Sequence, residues 1–340
     1  TQYNERALHH IHHTQFIEVK HMKTRQTNKR ALSHFRFGKV FGWVRRHTSR
    51  RRVSIKQIRQ LYQNLGLEER ACILCNSADL HLLSECDRYG FDLKKKYCDN
   101  CGLIQTSPSL SKEFHNQFCT SLYRPLYMNN TLVDYAKFND EQTAKADRIR
   151  EYLEEKTVEG SVSNFNIIEI GCSSAGILNH LKPHAKSVQG CDLDVAAIEY
   201  AKSNYDFKVE VSELPTSIPK SPNIFILSHV LEHLYDPKEA LTTIKKLLSD
   251  SDYLYIEVPG LNMLYKGIYK HDLRRYFHIA HVTDYTAGTM KAMAAVSGYD
   301  VLHCDENVSA LLRPSNKTSI KWEKSEHDSI ENIIAIEASR

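Results

Sequence analysis

From residue 166 onward the chain alternates between short apolar runs and longer stretches whose apolar residues recur at helical spacing. Residues 166–170, 188–192, 207–211, 223–227, 253–258, 301–305 and 332–337 read as strands, and 195–203, 237–248 and 286–296 as helices. That alternation predicts a mostly parallel, doubly wound α/β sheet whose crossovers take the usual right hand. Upstream the rhythm changes. Residues 80–86 and 91–97 read as ribbon strands. Leu126, Leu132, Tyr135, Ala136, Phe138, Ala144, Ile149, Tyr152 and Leu153 suit one or two helices leading into the sheet, and 160–164 is the turn before its first strand. Apolar residues at 55, 58, 61, 62 and 65 predict a further helix. The chain therefore divides into an N-terminal extension (1–70), a small module (71–120), a connector (121–160) and the sheet domain (161–340).

Charge separates these parts further. The 340 residues carry a net +4, but residues 1–70 hold sixteen Lys and Arg against four Asp and Glu, so the remainder is acidic at −8. The extension interleaves Phe35, Phe37, Phe41 and Trp43 with Arg36, Lys39, Arg45 and Arg46, and continues into Arg50, Arg51 and Arg52. Residues 20–60 thus suit three readings: an apolar helix stripe packed on the body, contact with an anionic membrane surface or nucleic acid, and an organelle-targeting segment. His9, His10, His12 and His13 read as a solvated tail. No run approaches the length of a membrane span and no apolar segment follows the basic start, so a soluble, cytoplasmic protein is expected. The chain opens on Thr1 and not Met, as a fragment or processed product would.

Four of the nine cysteines form two Cys-x-x-Cys turns, Cys72/Cys75 and Cys98/Cys101, with 22 residues between them. A two-residue spacer lets both thiolates of a turn face one ion, and Asn76 and Gly102 supply the permissive backbone that follows. Two such turns complete a tetrahedral zinc site of four cysteines. A closed thiolate shell leaves no position for water, so this zinc is expected to be structural. Cys86 and Cys119 read as bystanders.

In an open parallel sheet, ligands lie outside the carboxyl ends of the strands at the switch point, which places Glu169–Gly176, Asp192 and Ser228–Glu232 around one crevice. Gly171, Ser173, Ala175 and Gly176 are small enough to let backbone approach a ligand, and Asp192 is suited to the hydroxyls of a ribose. No phosphate cradle with a Lys-Ser or Lys-Thr ending is present.

The runs Glu169-Ile170-Gly171-Cys172, Gly190-Cys191-Asp192-Leu193-Asp194, Ile226-Leu227-Ser228-His229-Val230-Leu231-Glu232-His233-Leu234-Tyr235-Asp236-Pro237 and Leu254-Tyr255-Ile256-Glu257-Val258-Pro259-Gly260 resemble class I S-adenosylmethionine-dependent methyltransferases. With the four-cysteine module, the chain is similar to a subgroup with an N-terminal zinc-binding domain, including sugar C-methyltransferases and related glycan-pathway enzymes. The resemblance implies a seven-stranded Rossmann-like sheet and methyl transfer from S-adenosylmethionine to a nucleotide-linked sugar or glycan intermediate. It also implies that Glu169, Gly171, Cys172, Ser173, Ala175, Gly176 and Ser228 surround the methionine end of the cofactor. Asp192 would hold the ribose, Leu193 flank the adenine, and Ser212 or Glu213 lie near its amino group. This chain departs from the family at its second and third glycines, here Ser173 and Ala175, and at the Asp opening the fourth strand, here Asn223.

Methyl transfer needs in-line approach to a sulfonium methyl, and a base helps where the nucleophile must lose a proton. Candidate bases are His229, Glu232 and His233 after the fourth strand, and Tyr276, His278, His281 and Tyr285 after the fifth. His281 is the first choice because the resemblance puts a substrate-facing group there. The alternative for this stretch is a helix start capped by Thr283 or Asp284. Similarly, the resemblance makes His233 a helix-start contact. Tyr123, Tyr127 and Tyr135 are either pocket cover or core. Two other functions fit the same chain: an RNA methyltransferase gripping phosphates with the basic arm and zinc knuckle, and a non-catalytic binding protein with a degenerate cofactor loop.

Overall fold

The computed structural model describes residues 49–128, 133–157, 159–264, 266–270 and 272–315. The His cluster at 9–13, most of the basic extension and the strand expected at 332–337 lie outside the described residues.

Helix α1 (Ser49–Leu65) leads into β1 (Leu67–Glu68) and then a ribbon of β2 (Leu80–Ser84), β3 (Lys95–Cys98) and β4 (Ile104–Thr106), followed by β5 (Ser109–Leu110). Next, α2 (Lys112–Gln117) continues through a π-helical turn, Phe118–Leu122, into α3 (Tyr123–Met128), and α4 (Tyr135–Lys156) reaches the sheet domain. The domain runs β6 (Asn166–Ile170), α5 (Gly176–Leu181), β7 (Ser187–Asp192), α6 (Val195–Asn204), β8 (Lys208–Val211), β9 (Asn223–Ser228), α7 (Pro237–Lys245) and β10 (Tyr253–Glu257). A short α8 (Leu273–Tyr276), β11 (Thr283–Asp284), α9 (Ala287–Val296), β12 (Tyr299–Cys304) and β13 (Ser309–Pro314) complete it.

The seven-stranded sheet has the order β12-β13-β10-β9-β6-β7-β8. Strands β6 to β10 pair in parallel, while β13 is antiparallel to both β10 and β12. Parallel central strands are covered on both faces and so read as continuous apolar runs, and β6 and β9 are buried along their whole length. Alternation still decides which face each residue serves. Ile168, Ile170, Phe225 and Leu227 enter the core shared with α7, α9 and the Cys-rich ribbon, while Ile167, Ile224 and Ile226 enter the core under α4, α5 and α6. Each such isoleucine contributes about 1.5–3 kcal/mol by burial.

One local expectation changes, and two further positions gain detail. The seventh strand is Ser309–Pro314, a brief apolar run whose Pro and flanking polar residues hide it in the sequence. Helix α9 is capped by Thr286, whose hydroxyl and that of Thr289 form a reciprocal capping box; Thr283 and Asp284 instead form a strand. Asn223 lies at the amino end of its strand, bonded to Asp252 and Asn166, far from any crevice at the carboxyl ends.

Strand β11 joins the two parts of the molecule. It pairs with β4, Thr283 against Gln105 and Asp284 against Ile104, and so becomes the fourth strand of the ribbon sheet β11-β4-β3-β2. The ribbon is thereby stitched to the segment that lies beyond the fifth parallel strand. Helix α1 packs Ile58, wholly buried, into a third apolar cluster with Phe91, Phe114, Phe118 and Ile279. The apolar stripe expected at 55, 58, 61, 62 and 65 therefore packs on the body. Among the described residues no helix is long and apolar enough to cross a membrane.

Candidate functional site

The turn after β6 keeps the backbone of a glycine-rich loop although two of its positions are not glycine. Gly171, Ser173 and Ala175 all have positive φ, at 77°, 50° and 61°. Left-handed backbone costs Ser and Ala about 1–2 kcal/mol each. Neighbouring bonds hold the loop in place: the Ser173 amide donates to Asp192 Oδ2 at 2.7 Å, Arg124 Nη2 donates to Ser173 Oγ at 2.8 Å, and Asn139 Nδ2 donates to the Ser174 carbonyl at 3.1 Å. Close packing explains the retained glycines. A Cβ at Gly171 would sit 2.5 Å from a Val230 methyl, and one at Gly176 would meet Asn139 Oδ1 at 2.9 Å. Asp192 also accepts from the Asp194 amide at 2.8 Å, so each of its oxygens is aligned by one backbone donor and keeps lone pairs for a hydroxyl. Leu193 is exposed beside it, Ser212 follows β8, and the Glu213 carbonyl faces the Cys191 thiol. Cys172 is buried against the core beneath α5.

Three carboxylates meet at the carboxyl ends of the central strands: Glu169 on β6, Glu232 after β9 and Glu257 on β10. All are buried. Burial pushes the Glu169 carboxyl up to about 8, with Asp192 adding and Lys145 opposing. Burial also works against Glu257, but His229 and Arg148 hold it down at about 2; His229 Nε2 lies 3.1 Å from Glu257 Oε1 and Arg148 donates to it at 2.7 Å. Lys145 on α4 feels all three acids, while burial lowers its own pKa.

Glu232 is surrounded by imidazoles. His229 Nδ1 is 3.4 Å and His233 Nε2 3.7 Å from Glu232 Oε1, yet neither Glu232 oxygen makes a hydrogen bond of good geometry. Burial opposes its ionisation, but the neighbouring imidazoles, among them the charged His229 at 3.4 Å, hold its carboxyl below the usual range. The three histidines differ in state. Burial lowers His229, but Glu232 and Glu257 more than offset this and raise it, so it is the cation between two acids, held at φ 56°. Burial lowers His233 to about 4, so it is neutral. Its Nδ1 faces the Ala280 carbonyl at 3.0 Å, which can only accept, so Nδ1 carries the proton and Nε2 is free. His281 Nδ1 faces Asp284 Oδ1 at 3.4 Å.

The ribbon builds this wall. Lys95 Nζ, on β3 and almost wholly buried, donates at 2.6 Å to both Asp284 Oδ2 and the His281 carbonyl, and Thr106 Oγ1 donates to the same carbonyl at 3.1 Å. Asp87 accepts the Ile279 amide at 2.8 Å, and the Tyr89 hydroxyl lies 3.2 Å from His278 Nε2. Tyr123 packs its ring 5.1 Å from that of His233 and stacks on the half-exposed Tyr127. Tyr135 instead meets Tyr200 on α6.

The structure thus brings His229, Glu232, His233 and His281 together, and leaves Tyr285 wholly buried in the core that joins ribbon and sheet. His229, expected as a base, is a charged clamp between two acids. His233, expected as a candidate base or as a helix-start contact, is the neutral imidazole of the group. Sequence reading passed over Lys95, Arg124, Asn139, Lys145, Arg148 and the role of Glu257. Only Glu257 carried a signal, as a lone carboxylate in an apolar strand like Glu169.

In the ribbon, the four sulfurs of Cys72, Cys75, Cys98 and Cys101 all lie within 4.8 Å of one another, and Asn76 and Gly102 have the left-handed backbone their turns require.

A family model described as a methyltransferase domain matches residues 135–304. The chain is 24% identical over 119 residues to the ubiquinone biosynthesis O-methyltransferase of Nitrosomonas europaea, covering 33% of this chain and 50% of that protein, so it spans about half the length of that relative. Among solved structures it is similar to magnesium protoporphyrin IX methyltransferase from Synechocystis PCC 6803 with bound SAH, at 12% identity and TM-score 0.42 over 58% of this chain and 95% of the other. It is also similar to Streptomyces venezuelae DesVI, at 11% identity and TM-score 0.40 over 54% and 100%.

Proposed function

We propose, from the premise that this chain belongs to the methyltransferase-domain family and is a class I S-adenosylmethionine-dependent methyltransferase, that it methylates a hydroxyl-bearing sugar, nucleotide-linked or part of a glycan intermediate. The observation that supports the proposal is that two unlike groups sit beyond the carboxyl ends of the parallel strands: a left-handed loop bonded to Asp192, and Glu232, His233 and His281 beside Tyr123 and Tyr127. The polar cluster suits a polyhydroxylated acceptor and the tyrosine faces suit the apolar side of a sugar ring.

The residues present fit the cofactor. The Glu169 Oε2, Ser212 Oγ and Ser228 Oγ atoms are buried without hydrogen-bond partners, and Gly171 and Gly176 allow close approach. Glu169 and the 171–176 loop would hold the cationic methionine end, with Ser228 close by. Asp192 would hold the ribose, with Leu193, Ser212 and Glu213 toward the base. When bound, S-adenosylmethionine supplies an electrophilic methyl on a sulfonium. The chain's own part is to align the acceptor oxygen with that methyl, exclude water and take up the proton that the oxygen loses. The Glu232–His233–His281 cluster performs that last task, and His233 Nε2 is its free acceptor nitrogen. His229 fixes Glu232 against Glu257. The four ribbon cysteines hold a structural zinc whose closed shell takes no part in the chemistry.

Incubation with methyl-labelled cofactor and a panel of nucleotide sugars, glycans and RNA tests the reading. Label in a sugar is expected. Label in RNA alone, or calorimetry showing no cofactor binding, would replace it with the RNA or the non-catalytic reading.

A further inference from the structure

Glu232, His233 and His281 each offer one ligand atom, and these atoms lie within 4.8 Å of one another. Two histidines and one carboxylate form a common donor set for divalent first-row metals, and three protein ligands leave positions open, as catalytic sites require. Three further features match. His233 has its Nδ1 turned to the Ala280 carbonyl and His281 its Nδ1 to Asp284, the outer contacts that fix a ligating imidazole with Nε2 forward. Asp284 is itself anchored by Lys95, so the second contact is rigid. Glu232 is 1% exposed and neither oxygen has a hydrogen-bond partner, an arrangement that would be costly unless something else takes up its lone pairs. His229 lies between Glu232 and Glu257, its Nδ1 3.4 Å from Glu232 Oε1 and its Nε2 3.1 Å from Glu257 Oε1, but makes no hydrogen bond of good geometry to Glu232.

We propose that Glu232, His233 and His281 bind a divalent first-row metal ion with open positions toward the acceptor, distinct from the ion of the four ribbon cysteines. This rests on the reading of the crevice as the acceptor side and deepens it: the ion would bind the acceptor hydroxyl and ease loss of its proton, in place of His233 acting alone.

The test titrates Co2+ by calorimetry into the full chain carrying a single equivalent of zinc, enough to fill the four-thiolate site and no more, with His9, His10, His12 and His13 changed to Ala to remove that tail from the count. One further equivalent is expected, with affinity reduced at least tenfold in both Glu232→Gln and His281→Ala. A Co2+ absorption band of nitrogen and oxygen ligation, without thiolate character, should accompany it. Uptake unchanged in both variants, or no uptake by a folded chain that binds S-adenosylmethionine, overturns the metal site and leaves His233 as the proton acceptor. Co2+ uptake that depends on these residues, in a chain that does not bind S-adenosylmethionine, upholds the metal site and removes the methyl-transfer reading instead.

Discussion

The two proposed walls of the site, one for cofactor and one for acceptor, are made in opposite ways. The cofactor wall comes from one short stretch, Glu169 to Asp194, whose turns and strand ends are fixed by adjacent residues. The acceptor wall is assembled from Lys95, Glu232, His233, His281 and Asp284, brought together because β11 joins the ribbon sheet. A local wall is set largely by backbone geometry and tolerates Ser173 and Ala175 where the family has glycine. A wall made at long range depends on buried charge, so one broken partner should undo it.

The largest effect should come from the ribbon. Cys98→Ser is expected to lower zinc content and thermal stability together, since a structural zinc site carries on the order of 10 kcal/mol of binding free energy. Unchanged melting in a metal-free chain would refute the zinc assignment. Next, Lys95→Met removes the cation 2.6 Å from the buried Asp284 and leaves it only the His281 contact, which costs roughly 3–5 kcal/mol. Under conditions where the variant remains folded, turnover should fall far more than cofactor affinity. Equal losses in both would mean that the ribbon does not serve the acceptor wall selectively.

On the other wall, Gly171→Ala combines a left-handed position with a clash at Val230, a penalty of about 1–3 kcal/mol. Here cofactor affinity, measured by calorimetry, should suffer first. Wild-type affinity in the variant would show that the loop can rearrange freely.

The smallest effect is a dependence on pH. Glu169 has its pKa raised by burial to about 8, so the folded chain holds a proton there that the unfolded chain releases near 4.5. Its contribution to stability is present below the unfolded value and falls as pH rises toward 8. A cationic cofactor favours the carboxylate, so binding should release a proton and tighten with pH below 8, by at most about tenfold per unit. Calorimetry in buffers of different ionisation heat would detect the proton. Glu169→Gln should abolish the dependence, and a slope that survives in this variant would assign the titration to another group.

Much of this protein is legible in its residues alone. The alternation after residue 166 gives the doubly wound sheet, the small residues at 171–176 give the loop, Asp192 falls at a strand end, and the paired Cys-x-x-Cys turns converge. These features obey local rules: side-chain period, allowed φ, and short spacers between like residues. Strand Ser309–Pro314 escaped because so short a run carries little period, and Thr283-Asp284 resembled a helix cap because its strand partner lies on the ribbon.

What only the tertiary structure decided is which histidine does what. His229, His233 and His281 are all candidate bases in sequence, and their states separate only when Glu232 and Glu257 flank the first, the Ala280 carbonyl fixes the second, and Asp284, anchored by Lys95, faces the third. Proton position follows burial and partners, and those are set by contacts between residues far apart in the chain.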